Sequence, residues 1–224
     1  MSMDGKILHT PEVPQPTFSV QMVNPSEFEV LRRFQPEREG TIIKTPVINI
    51  FSEAVSSPDM LMETNAQTCA IYFAYDASQG VGRSAHFFSQ INSVEMEELK
   101  KQSEIKPSHT RWWPFRRKAN PLPTEWIEKE NLAHYQRYQE FLETIRQMDP
   151  KQTEVYIFGG NVFSKSAEDK AAASRRRQYT AADFKSLGVK IYDHRSKLDD
   201  EEELWKNTDV FVDLSQKQIS VSIM

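Results

Sequence analysis

Two periodicities divide this chain. From Thr68 to Asp76 it reads Thr-Cys-Ala-Ile-Tyr-Phe-Ala-Tyr-Asp, a short, nearly unbroken apolar run of the kind a strand buried on both faces shows. Arg83 to Phe88 is a second such run, and Tyr75 to Gly80 between them reads as a turn, so the two are expected to pair. Glu154 to Phe158 predicts a third short buried strand, left at Gly159-Gly160-Asn161. Val189 to Tyr192 predicts another. Val210 to Leu214 and Ile219 to Ile223 both alternate, with Ser215 to Gln218 joining them as a hairpin. The helical period is clearest between Thr124 and Met148. There Leu132, Tyr135, Tyr138, Leu142, Ile145 and Met148 recur at three- and four-residue steps. Thr124 can cap that helix and Pro150 follows it. Thr180 to Leu187, opened by Thr180 and Asp183 and closed by Gly188, predicts a second helix. Ser164 to Arg177 is alanine-rich and charged, a loop or weak surface helix with Arg175, Arg176 and Arg177 in water. Met96 to Lys101 suits a short surface helix.

Strands, helix, strand, helix and strands in that order predict an α+β or mixed α/β layered fold, with two main helices packed on the sheet. Seven of the twelve prolines fall in the first 60 residues. Residues 1–60 therefore read as a proline-rich extension with short strands near Thr17–Val23 and Thr41–Phe51, and residues 61–224 as the main domain. Residues 103–123 form an inserted loop. Its four prolines forbid a regular element, and Trp112 and Trp113 stand beside basic residues. That composition suits peripheral contact with an anionic surface or an acidic partner, or a loop folded back on the domain.

Charge and cysteine content narrow the chemistry. A net charge of -4 argues against a general nucleic-acid binder. The N-terminal residues lack the apolar core of a signal peptide, and no run approaches the ~20 apolar residues of a transmembrane helix. A cytoplasmic protein is expected, with export by a route independent of a signal peptide left open. The single cysteine, Cys69, allows no intramolecular disulfide, and no His, Cys and acidic grouping has zinc-site spacing, so no metal or cofactor is expected. Cys69 is then either a small core residue or a nucleophile. His86, 17 residues on, is the histidine the strand pairing would bring near it. His9, His109 and His134 are expected in loops or on the surface, while His194 follows the Val189 strand.

Taken together, these motifs resemble CheD, the bacterial chemoreceptor glutamine deamidase family. That family has a Gly-Ser-Cys segment entering a strand that ends in an aromatic-Asp turn. A glycine-containing turn and a strand ending in Ala-His follow. Here Thr68-Cys69 enters the strand, Tyr75-Asp76 ends it, and Gly80, Gly82 and Ala85-His86 follow. Arg137-Tyr138 sits in the long helix, Phe158-Gly159-Gly160 stands where the family has Phe-Gly-Gly-Ala, and the later helix, strand and hairpin keep the family order. The resemblance runs from about Met62 to Ile223. Gln67 and Thr68 replace the family's Gly-Ser. Its orienting threonine falls at Glu63, with Thr64 one residue off, and Asp193 to Lys197 replace its late Gly-Gly-x-x-Gly-Arg stretch.

The resemblance implies a thiol mechanism on a glutamine side chain of a protein substrate, a bacterial receptor or a host protein. Cys69 would attack, His86 would carry the proton, and Thr68 or Thr64 would orient the imidazole, with Asn65 and Asp193 as further candidates. Gly159, Gly160 and Asn161 would line the substrate side. The same pair could serve a transglutaminase, a thiol protease or an acyltransferase, or persist in a non-catalytic binding module.

Overall fold

In the computed structural model the described residues are 15–33, 37–38, 41–42, 47–48, 55–57, 59–66, 69–88, 91–104, 124–160, 166–195 and 207–223. Alternation along one strand sets the layers. In β7 (Cys69–Asp76) every residue is buried. Cys69, Ile71, Phe73 and Tyr75 enter one core, and Ala70, Tyr72 and Ala74 enter the other. A strand with apolar side chains on both faces is central, and β7 lies in the middle of a five-stranded sheet ordered β10-β9-β7-β8-β5. Its neighbours are β8 (Val81–Phe88), β9 (Thr153–Gly159), β10 (Lys190–Asp193) and the short edge strand β5 (Val55–Ser57). β7 pairs antiparallel with both β8 and β9, while β10 runs parallel to β9.

A second mixed sheet, ordered β1-β12-β11-β6-β4, packs against the Cys69 face. It comprises β1 (Ser19–Met22), β4 (Val47–Ile48), β6 (Met60–Ala66), β11 (Thr208–Asp213) and β12 (Gln218–Ile223). β11 and β12 form the expected antiparallel hairpin. Glu37–Arg38 and Thr41–Ile42 form a separate two-stranded pair, β2 and β3. The other face of the central sheet is covered by α2 (Ser93–Glu104), α3 (Thr124–Arg146) and α4 (Ala167–Ser186), through residues such as Met96, Tyr138, Phe141, Ile145 and Phe184. The architecture is α+β: two mixed sheets face to face, with helices on their outer surfaces.

Several expectations change on the structure. Leu132, placed on the apolar stripe of α3, is 40% exposed, and Phe141 takes up the buried face instead. His134, expected at the surface, is buried with its ring edge-on to Phe88, because α3 crosses the end of β8. The segment from Ser164 to Arg177 and the Thr180 helix are largely one element. Ser166 caps α4, its hydroxyl accepting from the Asp169 N–H, and Thr180 is buried within the helix. Arg176 pairs with Glu95 of α2 at 3.1 Å, and Arg177 is partly buried.

The segment from Thr17 to Arg33 is built into this fold. Asn24 and Glu27 cap α1 (Pro25–Arg33) reciprocally: the Glu27 N–H donates to Asn24 Oδ1 at 2.8 Å and the Asn24 N–H to Glu27 Oε2 at 3.0 Å. α1 places Phe28 on Met60 and Phe211, over the outer face of the second sheet. Phe18 enters the core between the sheets, with ring centroids 5.2 Å from Phe73, 5.0 Å from Tyr75 and 5.7 Å from Tyr156. Its backbone is anchored as well. The Thr17 N–H donates to Glu154 Oε2 at 2.9 Å, the Phe18 N–H to the Tyr156 hydroxyl at 3.0 Å, and that hydroxyl to Glu154 Oε2 at 2.7 Å. β1 then pairs parallel with β12. Ser103 and Glu104, expected to open the inserted loop, complete α2, and residues 105–123, with Trp112 and Trp113, lie outside the described residues.

Candidate functional site

Strand register brings Cys69 and His86 to one face. Cys69 stands opposite Phe88 and Ile71 opposite His86. Directly opposed residues of an antiparallel pair share a face, so Cys69, Ile71 and His86 point between the two sheets, while Phe88, at the strand end, also packs against the helix-facing core. Cys69 and His86 are diagonal neighbours, a relation that puts residues about 7–8 Å apart, within reach of an aromatic side chain. Both are nearly enclosed, Cys69 at 8% exposure and His86 at 3%.

Four strand ends meet here: β7 begins at Cys69, β8 ends at Phe88, β9 at Gly159 and β10 at Asp193. Gly159 has φ +71°, and a Cβ there would come within 2.6 Å of the Cys69 carbonyl oxygen. Only glycine meets both the left-handed backbone and the close approach without strain. Gly160, with φ +66°, donates its N–H to that same carbonyl at 2.6 Å. Cys69 thus stands across from Phe88 on one side and against the backbone of a residue without a side chain on the other.

The electrostatics decide which proton state His86 can use. Burial, reinforced by the nearby His134, lowers its pKa from 6.5 to about 4. At pH 7 the imidazole is therefore neutral. It can accept a proton from a thiol, but it is not a standing imidazolium that would hold a thiolate beforehand.

The other sequence candidates are distributed as follows. Thr68 and Asn161 lie outside the described residues. Thr64 and Asn65 lie in β6, whose backbone alone is described there. Asp193 does not orient His86. It registers with Ile157, which registers with Tyr72 on the helix-facing side of the sheet, three strands away and on the opposite face. Its carboxylate instead takes Arg195, through Nε at 2.8 Å and through Nη2. His194 stacks on Phe158 at 5.3 Å and 12° and on Tyr156 at 6.1 Å and 6°, on the Cys69 side of the sheet.

Phe88, His134, Arg177 and Arg195 also border this end; the sequence marks none of them as a site residue, and it predicts His134 at the surface and Arg177 in water. Phe88 follows from counting the hairpin register back from the turn. The arginines carry no local signal, since α4 and the end of β10 bring them together from distant positions. Among the described residues, no group of three or more His, Cys, Asp and Glu side chains could hold a metal ion. No helix among them is long and apolar enough to cross a membrane. The chain matches no protein-family model and no curated protein.

Proposed function

We propose that this protein is a protein-glutamine deamidase with a CheD-like domain, converting a glutamine side chain to glutamate and ammonia through Cys69 and His86. One observation carries the reading: Cys69 and His86 share the inter-sheet face one diagonal step apart, and the imidazole is neutral at pH 7. In this mechanism the Cys69 proton passes to His86 as the sulfur attacks the carboxamide carbon. The carbon–nitrogen bond then breaks, and the imidazolium returns its proton to the leaving ammonia. Water, deprotonated by His86, opens the thioester and regenerates the thiol. Because His86 holds its proton weakly, the imidazolium is a short-lived species that readily protonates the amine. Gly159 and Gly160 hold the β9 backbone close against the Cys69 carbonyl.

The test is mass spectrometry of glutamine-bearing proteins, including bacterial chemoreceptor signalling domains, after incubation with the wild type, Cys69→Ser and His86→Gln. The reading requires conversion of glutamine to glutamate with ammonia release by the wild type alone. Amine adducts or isopeptide bonds in place of glutamate would assign transglutamination. Identical substrate spectra for the wild type and Cys69→Ser would make the pair a core contact in a binding module.

A further inference from the structure

Two rings line one edge of the central sheet on its inter-sheet face. β10 closes that edge beside β9, with Tyr192 registered on Tyr156 and the His194 N–H donating to the Ile157 carbonyl at 2.9 Å. The side chains stack in the same order. Tyr192 lies 5.0 Å from Tyr156 at 26°, and His194 lies nearly parallel to both Phe158 and Tyr156. Tyr156 and Phe158 are buried, whereas Tyr192 is half-buried and His194 exposed. Core aromatics therefore fix the inner faces of the two rings, and residues two apart on a strand stand about 7 Å apart along it. Aromatic surfaces of this kind receive polyproline II segments, which are already extended and lose little entropy on docking.

The chain carries such a segment next to the ladder. Residues 11–16 read Pro-Glu-Val-Pro-Gln-Pro. With three residues per turn, Pro11 and Pro14 fall on one face of a polyproline II helix, about 9 Å apart. The chain enters the fold at the same sheet edge. The Thr17 N–H donates to Glu154 Oε2, and Glu154 registers with Lys190, the first residue of β10, whose Nζ lies 3.9 Å from Glu154 Oε1. The next anchor is shared with the ladder, because the Tyr156 hydroxyl accepts from the Phe18 N–H and the Tyr156 ring stacks on Tyr192. Gln15, Pro16 and Thr17 are exposed, and residues 1–14 lie outside the described residues. Lys190 to His194 spans about 13 Å, and the six residues from Thr17 back to Pro11 reach up to about 20 Å. A tether this short gives an effective concentration on the order of millimolar, so even weak stacking fills the site.

We infer that Tyr192 and His194 form a docking ladder for a proline-rich segment, and that its occupant is the chain's own Pro11-Glu12-Val13-Pro14 stretch. Docking there covers the exposed ring of His194 and the outer edge of β10, a kind of edge that otherwise invites pairing with another chain. The inference concerns the β10 edge and does not rest on the deamidase reading.

Carbethoxylation of His194 by diethyl pyrocarbonate in the full chain, read by peptide mass spectrometry, tests it. His194 should react about threefold or more slowly in the wild type than in the Pro11→Ala/Pro14→Ala variant, as it does when about two thirds or more of the population is docked. Tyr192→Ala should speed the reaction likewise, and Tyr192→Phe, which keeps the ring, should not. A synthetic peptide of residues 6–16 added to the proline variant should restore protection, and the same peptide with both prolines replaced by alanine should not. His86, buried between the sheets, is the control in the same digests. Its rate should stay constant, so a rise at His194 alone reports undocking and not unfolding. Should Tyr192→Ala fail to fold, the proline variant and the peptide arms decide, since they leave the core unchanged. Equal His194 rates in the wild type and the proline variant would overturn the inference. If the added peptide nevertheless protected His194 in both, the ladder would belong to a partner's proline-rich segment and not to the chain's own.

Discussion

Acidification from pH 7 to pH 4 should destabilise this protein through His86. The imidazole titrates near 6.5 when the chain is unfolded and near 4 when folded, chiefly because burial disfavours its charged form. Between those values the unfolded chain binds a proton that the folded one refuses. Stability is therefore fully present above pH 6.5, falls as pH drops through the window, and levels off below about 4. At about 1.4 kcal/mol per pH unit, the full window amounts to on the order of 3 kcal/mol, a large share of the stability of an ordinary domain. The assay is urea unfolding of the wild type and His86→Gln at steps from pH 7 to pH 4. The informative quantity is the difference between their slopes, not the absolute cost of the substitution. His194, also shifted down by burial, acts in the same direction in both proteins and cancels. Asp193 belongs to a more acidic window. Burial pushes its pKa up, but the bonds and charge of Arg195, with the charge of Arg177, outweigh burial and hold it below 3.8. Stability curves of the two proteins that stay parallel from pH 7 to pH 4 would refute the reasoning, because the folded state would then not disfavour the charged imidazole.

Three substitutions test the packing around the site. Gly159→Ala should cost about 1–3 kcal/mol from the left-handed backbone alone, and the 2.6 Å approach to the Cys69 carbonyl should add to it; thermal unfolding reports the sum, and an unchanged midpoint would contradict the geometry. Phe18→Ala should cost about 3–5 kcal/mol in chemical unfolding, because the ring fills the space between the sheets. Tyr156→Phe keeps the ring but deletes the hydroxyl that accepts from Phe18 and donates to Glu154; a loss of about 1–3 kcal/mol is expected, with faster amide exchange at Thr17 and Phe18.

Much of the central sheet was legible in the sequence, because a strand buried on both faces is an apolar run and a turn joins β7 to β8. The pairing of Cys69 and His86 on one face follows from that turn and from the two-residue period of strands. α3 was legible from its spacing, apart from Leu132. What escaped reading has physical causes. β6 carries Glu63, Thr64 and Asn65, and a register shift between Thr208 and Val210 breaks its alternation, so no clean period marks it as a strand. α4 mixes small and charged residues without an apolar stripe, and only the Ser166 and Asp169 cap announces its start. The parallel pairings of β1 with β12 and of β9 with β10 are tertiary choices that no local pattern encodes. Arg177 looks like one more solvated charge until α4 turns it toward Gly160.

The proposed action of His86 on the Cys69 thiol is tested most directly by the alkylation rate of Cys69 by iodoacetamide at pH 7, in the wild type and in His86→Gln, both shown to be folded under the same conditions. Removing the base should slow alkylation about tenfold or more. Equal rates in the two proteins would contradict it.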